Sequence, residues 1–359
     1  MNKKYLRIVA LAAVAFLVAG ACASEDEGDE SGSGSDSDGG TSEVVACQVT
    51  DTGGVDDRSF NQTANEGLVR AEEELGVEGN VLESQSEADF EPNLKAFVDQ
   101  DCDLIIPVGF LLDSATQASA KDNPDQKYAI VDVDFFDTEA GEDITLDNVE
   151  ELTFATDQAA FLAGYLAAGS TETGTVGTYG GINIPTVTIF MDGFLAGVQQ
   201  YNADNGTDVK VLGWDGSEGL FTGDFEDQDK GKQTTKSLID EGADIVMPVA
   251  GPVGLGSVEA ANEADGVKLI WVDTDGCVSV PDACDLFLTS VQKKMDVAVY
   301  DSIKSVVDGE FEAGLYVGTL ENDGVGIPEL GSDVPEELAQ KIDEYREAII
   351  SGDQSTSPS

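Results

Sequence analysis

Short apolar runs rich in Val, Ile and Leu punctuate the chain at 44–50, 81–84, 104–108, 128–133, 175–179, 209–214, 245–249 and 268–272. Their β-branched content and the turn residues that bound them mark them as strands. Longer stretches lie between them, at 62–75, 92–98, 157–168, 230–241 and 255–263. In these, apolar residues recur at three- and four-residue intervals, the spacing of a helix with a buried face. Strands that are apolar throughout, alternating with helices, predict parallel sheets covered on both faces.

The pattern occurs twice. Lys95, Asp99, Asp103, Pro107 and Val108 recur in the same register as Lys236, Asp240, Asp244, Pro248 and Val249. Without a gap, Val131, Asp132 and Asp134 recur as Val272, Asp273 and Asp275. Each copy reads helix, Asp, apolar strand, Pro-Val, helix, apolar strand, Asp-x-Asp, which predicts two α/β lobes of similar topology. Ligands of open parallel sheets bind beyond the carboxyl ends of the strands. Two facing lobes would therefore aim Asp132 and Asp273 into one cleft. Trp214 and Trp271 fall on apolar strands and are expected in the core.

The amino terminus reads as an address. Lys3, Lys4 and Arg7 precede an apolar run over 8–21, which is too short to span a membrane and matches a secretory signal. Cys22, behind Val18-Ala19-Gly20-Ala21, resembles the lipidation site of a bacterial lipobox, although Ala19 stands where Leu, Val or Ile is usual. Ala19-Gly20-Ala21 also fits ordinary signal cleavage, so export follows either way. Residues 23–43 are Ser, Gly, Asp and Glu with almost no apolar anchor, a composition that cannot offset its ordering entropy. The expectation is a lipoprotein signal over 1–22 with lipidation at Cys22, then an unstructured acidic tether over 23–43. The folded part would sit outside the cell, held to the outer face of the membrane through the lipid alone.

Charge and composition then remove whole classes. The 359 residues include 71 acidic, 18 basic and no histidine, a net charge of −53. Such a field repels nucleic acid and large anions. The absence of histidine removes His-based triads and zincins. Self-repulsion at this density points to a salt-adapted exported protein, because salt shortens the range of repulsion. Apart from Cys22, four cysteines remain, an even number in an exported chain. Cys277 and Cys284 bracket a short Pro-containing loop and are paired here, leaving Cys47 with Cys102 by elimination.

The loop after the first strand runs Asp51-Thr52-Gly53-Gly54-Val55-Asp56-Asp57-Arg58-Ser59-Phe60-Asn61-Gln62. Gly and Asp make a turn, and Ser59 or Asn61 can cap the following helix. Phe60 offers an aromatic face, and Asn61 an amide suited to the edge of a heterocycle. This string resembles the basic membrane protein family of substrate-binding lipoproteins, whose characterised members bind purine nucleosides for ABC transporters. The resemblance runs on through Phe161-Leu162-Ala163-Gly164-Tyr165, Gly180-Gly181-Ile182-Asn183-Ile184-Pro185 and Asp192-Gly193-Phe194-Leu195-Ala196-Gly197. It continues through Gly242-Ala243-Asp244, Ala250-Gly251-Pro252-Val253-Gly254-Leu255-Gly256 and Thr289-Ser290-Val291-Gln292-Lys293, covering 44 to about 327 in order.

The resemblance implies a type I periplasmic-binding-protein fold: two doubly wound parallel-sheet lobes, a hinge and an interlobe ligand cleft. Lobe one would comprise 44–170 and 292–314, lobe two 171–291 and 315–350, with an unstructured tail over 351–359. Crossings near Ser170, Val291 and Gly314 would form the hinge. Asp51, Phe60 and Asn61 would contact the ligand from lobe one, Phe60 stacking on the base and the other two reading its edge. Asp132 would bind ribose hydroxyls. Lobe two would add Phe225, ahead of Gly231-Lys232, together with Gly251, Asp273 and Lys293. The spacing leaves Asp134, Asp275, Phe221 and Lys294 as competitors for Asp132, Asp273, Phe225 and Lys293.

The function so implied is capture of a nucleoside, a purine nucleoside foremost, and its delivery to a permease and its ATPase, by a monomer that makes or breaks no bond. Other solutes such as a sugar, a ligand-sensing role, and a carboxylate-based nucleoside hydrolase are the alternatives. Asp273-x-Asp275-Gly276 begins like a calcium loop but lacks the remaining ligands, and 251–256 lacks the Lys-Ser/Thr of a phosphate loop. No metal and no cofactor are expected.

Overall fold

The computed structural model describes residues 43–137, 141–332 and 334–358. The signal segment, Cys22 and the tether as far as residue 42 lie outside the described residues. The first half alternates β1 (Val45–Thr50), α1 (Phe60–Leu75), β2 (Glu78–Glu83), α2 (Phe90–Val98), β3 (Leu104–Val108), α3 (Asp113–Asp122) and β4 (Lys127–Val131). A small hairpin of β5 (Phe136–Asp137) and β6 (Glu142–Asp143) then leads to β7 (Val149–Phe154).

The second half repeats the plan with α4 (Thr156–Ser170), β8 (Thr175–Gly180), α5 (Pro185–Asn205), β9 (Lys210–Leu212), α6 (Gln228–Asp240) and β10 (Ile245–Val249). It continues with α7 (Gly254–Asn262), β11 (Lys268–Asp273), the short α8 (Gly276–Ser279) and β12 (Phe287–Lys293). The chain then returns through α9 (Met295–Asp308) and β13 (Gly314–Gly318), and ends with β14 (Val325–Gly326) and α10 (Glu336–Ile350).

Two six-stranded sheets result, in the orders β13-β7-β4-β3-β1-β2 and β14-β12-β11-β10-β8-β9. All neighbours are parallel except β12 and β14. The two orders match strand for strand, so the repeated sequence pattern is a repeated topology. The central strands β3 and β10 are buried at every position, as strands covered on both faces must be. Cys47 on β1 is bonded to Cys102, just ahead of β3, and Cys277 to Cys284 within one loop.

Two crossings differ from the sequence expectation. The first comes at Ala155, not Ser170, because α4 belongs to the second lobe. That helix is buried over most of its length, with no polar face to keep it on a surface. It packs backbone to backbone on α5: a Cβ on Gly164 would stand 2.1 Å from the Phe194 carbonyl oxygen, and one on Gly197 2.1 Å from that of Phe161. The last crossing comes at 319–324, not Gly314, because β13 pairs with β7 and extends the first sheet. The middle crossing lies between Lys293 and Met295. The three run side by side, with Ala155 N donating to Gly318 O at 2.8 Å and Lys294 N to Gly324 O at 2.9 Å. Beyond α10 the segment 351–358, expected as a loose tail, turns back so that the Thr356 hydroxyl donates to Asp157 near the start of α4.

Candidate functional site

The loop from β1 to α1 is organised by a carboxylate buried beneath it. Asp57 accepts the backbone N–H groups of Ser59 at 3.0 Å, Asn61 at 2.8 Å and Gln62 at 2.9 Å. It thus serves the exposed donors at the start of α1, the role expected of Ser59 or Asn61. Both of those side chains are thereby free for other work. Asn61 Nδ2 donates to Asp51 Oδ1 at 2.9 Å, which orients the amide. Its Oδ1 is buried with no hydrogen-bond partner among the described residues. Ser59 Oγ donates across to Asp273 Oδ2 at 2.7 Å.

Asp132 and Asp273 occupy equivalent places, where β4 and β11 end. Both take left-handed backbone conformations, with φ of 65° and 70°, which side chains other than Gly rarely adopt. The turn lets each chain leave its sheet while its carboxylate stays at the strand end. Lys293, at the end of β12, joins them: its Nζ lies 2.5 Å from Asp132 Oδ2 and 4.0 Å from Asp273 Oδ1. The ammonium is 2% exposed and the carboxylates 8% and 6%. The rings of Phe60, Phe190 and Phe154 surround Nζ at 5.0, 5.4 and 5.6 Å, so the cation sits on aromatic faces as well as between carboxylates.

Burial sets the protonation chemistry. Asp51 is pushed up to about 8, mainly by loss of solvent, against the opposing hydrogen bond from Asn61. Asp57 is raised to about 6 for the same reason, despite its three N–H donors. Asp132 and Asp273 are raised by burial, with Lys293 opposing in each case.

All eight residues proposed from the sequence, Asp51, Phe60, Asn61, Asp132, Phe225, Gly251, Asp273 and Lys293, line one cleft between the lobes. The cavity measures about 60 Å³ to the centre of a water-sized sphere, room for only a few waters, so the walls stand close. The four competitors lie elsewhere. Asp134 is exposed, and Asp275 caps α8 by accepting the Cys277 N–H at 2.9 Å. Phe221 packs edge-on against Trp214, and Lys294 borders a separate groove beside α10. Both tryptophans are buried, as expected of core residues. Phe190 and Phe110 also line the cleft and were not singled out from the sequence. Phe190 lies between two of the motif stretches quoted above, which was the available signal; Phe110 had none.

A two-lobed chain with an interlobe cleft of this kind has known counterparts. The family model described as ABC transporter substrate-binding protein PnrA-like matches residues 44–357. The chain belongs to this family. Among its relatives, the CD4+ T-cell-stimulating antigen of Listeria innocua is 35% identical over 355 residues, covering 94% of this chain and 93% of that one. The ABC transporter nucleoside-binding protein BmpA of Lactococcus lactis is 32% identical over 364 residues, covering 95% and 96%. Among solved structures, an ABC transporter solute-binding protein from Aeropyrum pernix K1 superimposes with a TM-score of 0.77 at 30% identity, covering 86% of this chain and 92% of that one. As a PnrA-like protein the chain has the type I binding-protein architecture and belongs among the ABC transporter substrate-binding proteins.

Proposed function

We propose that the protein captures a purine nucleoside between its lobes and delivers it, unchanged, to a permease and its ATPase. The observation that carries this reading is the pairing, in one narrow cleft, of aromatic walls with two kinds of polar group. Phe60 and Phe225 offer faces for a planar base, worth about 0.5–1.5 kcal/mol per aromatic pair beyond area burial. Asp51 and Asn61 offer a base-reading edge in which Asn61 Oδ1 awaits a donor. Asp132, Asp273 and Lys293 offer acceptors and a donor suited to a ribose diol. A neutral nucleoside also escapes the repulsion that an anion meets in a chain of net charge −53. The name of the Lactococcus relative supports the same ligand class.

In this reading one chain binds one ligand, the lobes close by a population shift, and the closed form docks on the permease. A lipid on Cys22 keeps it at the outer face of the membrane. Thermal unfolding of residues 43–359 in molar KCl, with adenosine, guanosine, inosine, uridine, ribose and glucose added singly, tests the ligand. Nucleoside at 100 times its Kd should stabilise by about 2.7 kcal/mol, several degrees in Tm. A rise with a sugar and none with purine nucleosides overturns the substrate. Free base appearing during incubation with inosine overturns the binding-only role.

A further inference from the structure

The two lobes also touch through residues of lobe one that do not line the cleft. Arg58 and Ser59 belong to the loop between β1 and α1, on lobe one, and neither borders the cavity. Arg58 Nη1 donates to the Ser279 carbonyl at 3.0 Å, in the loop closed by the Cys277–Cys284 disulfide on lobe two. In return the Arg58 carbonyl accepts the indole N–H of Trp271 at 3.3 Å. Ser59 Oγ lies 2.7 Å from Asp273 Oδ2 and 3.3 Å from the Val272 carbonyl. Arg58 holds a left-handed φ of 58° to make these contacts. In a chain with 71 acidic residues, its guanidinium forms no ion pair among the described residues and is spent on a backbone carbonyl of the opposite lobe.

We propose that Arg58 and Ser59 form a closure latch, with the Cys277–Cys284 loop as its keeper, which populates the closed cleft before ligand enters and slows ligand release. This rests on the two-lobe capture proposed above, but on no particular ligand. The loop from Gly276 to Leu286 is short and tied at 277 and 284, so the Ser279 carbonyl is presented at a set height to the opposite lobe. Trp271 is 1% exposed and its indole N–H finds its partner on the other lobe. Opening therefore uncovers a buried donor as well as removing the arginine bond. A hydrogen bond is worth about 0.5–1.5 kcal/mol net, so each one lost should shift the closed-to-open ratio by roughly two- to tenfold.

The molecule carries its own reporter. It has two tryptophans, and Trp214 bonds within lobe two, to Asp192 at 2.8 Å. In the full-length protein in detergent, on a Trp214→Phe background, emission reports Trp271 alone. Arg58→Ala should move that emission to the red without any ligand, and Arg58→Lys should move it less. Cys277→Ser with Cys284→Ser should act in the same direction. Combined with Arg58→Ala it should add less than the product of the separate effects, because both remove one contact.

Because the latch holds the closed form with and without ligand, titration with inosine should show an off-rate raised by roughly two- to tenfold, an on-rate unchanged or raised, and a Kd raised by no more than the off-rate. Unmoved emission in Arg58→Ala, an effect on the on-rate alone, or multiplicative effects of the two changes would overturn the latch. A red shift in the ligand-free variant with no response to inosine in any variant would sustain the latch and remove the nucleoside reading.

Discussion

Asp51 offers a test in which the structure dictates both sign and size. Its carboxyl is raised from 3.8 to about 8 by burial at the end of β1, with Asn61 its hydrogen-bond donor. Below pH 4 the group is protonated in the folded and unfolded chains alike. Between pH 4 and about 8 the folded chain keeps a proton that the unfolded chain has released, so folding stability falls as pH rises. The slope approaches 1.36 kcal/mol per pH unit, which amounts to roughly 4 kcal/mol between pH 5 and pH 8. Asp57 and Glu151, raised to about 6 and about 7, pull in the same direction but remain in any Asp51 variant. Asp51→Asn keeps the size of the side chain and an oxygen to accept from Asn61, and it cannot ionise. The difference in unfolding free energy between Asp51→Asn and the parent, from urea titrations in fixed molar KCl, should therefore grow in favour of the variant by about 3–4 kcal/mol from pH 5 to pH 8. A difference independent of pH would refute the argument, because it would mean that Asp51 ionises as easily in the cleft as in the unfolded chain.

Lys293→Met should cost about 3–5 kcal/mol at pH 7, since it strands Asp132 and Asp273 as buried carboxylates. The loss should shrink as pH falls and the raised carboxyls take up protons, and losses that do not change with pH in urea titrations would contradict the ion-pair account. Asp132→Asn should weaken inosine binding at least tenfold in calorimetry while Asp134→Asn leaves it within twofold, because the first lines the cleft and the second faces solvent. Tm should rise steadily between 0.1 M and 1 M KCl as the Debye length contracts from about 10 Å to about 3 Å. A flat Tm would remove salt adaptation as the reason for the net charge of −53.

What the amino-acid pattern revealed, and what it hid, follows from where polar residues are compensated. The strands β3, β4, β10 and β11 have apolar cores that repeat in register, so both lobes and the placement of Asp132 and Asp273 were legible. The strand β7 was not, because Glu150 and Glu151 interrupt it. Each glutamate has a partner supplied only by the fold: Ser302 Oγ at 2.7 Å and the Phe135 N–H at 2.9 Å. The lobe to which α4 belongs was equally hidden. A helix apolar on every side fits either sheet, and only the glycine contacts with α5 decide. The choice between Asp132 and Asp134 turned on one left-handed residue at a strand end, and that between Phe225 and Phe221 on which ring the core around Trp214 takes up. The contacts of Arg58 left no trace in the pattern, because its acceptor is a backbone carbonyl more than two hundred positions away.

The adjacent crossings have a consequence for a chain attacked by a protease. The lobes are joined by three parallel passages, at 155, 293–295 and 319–324, laced to one another by main-chain hydrogen bonds. A single cut at 293–295 severs the polypeptide without severing the molecule. Two threads still join the lobes, and Ala155 still holds Gly318. Such a nicked protein would run as two fragments on a denaturing gel and as one particle on a native column, with its bending motion guided by the threads that remain.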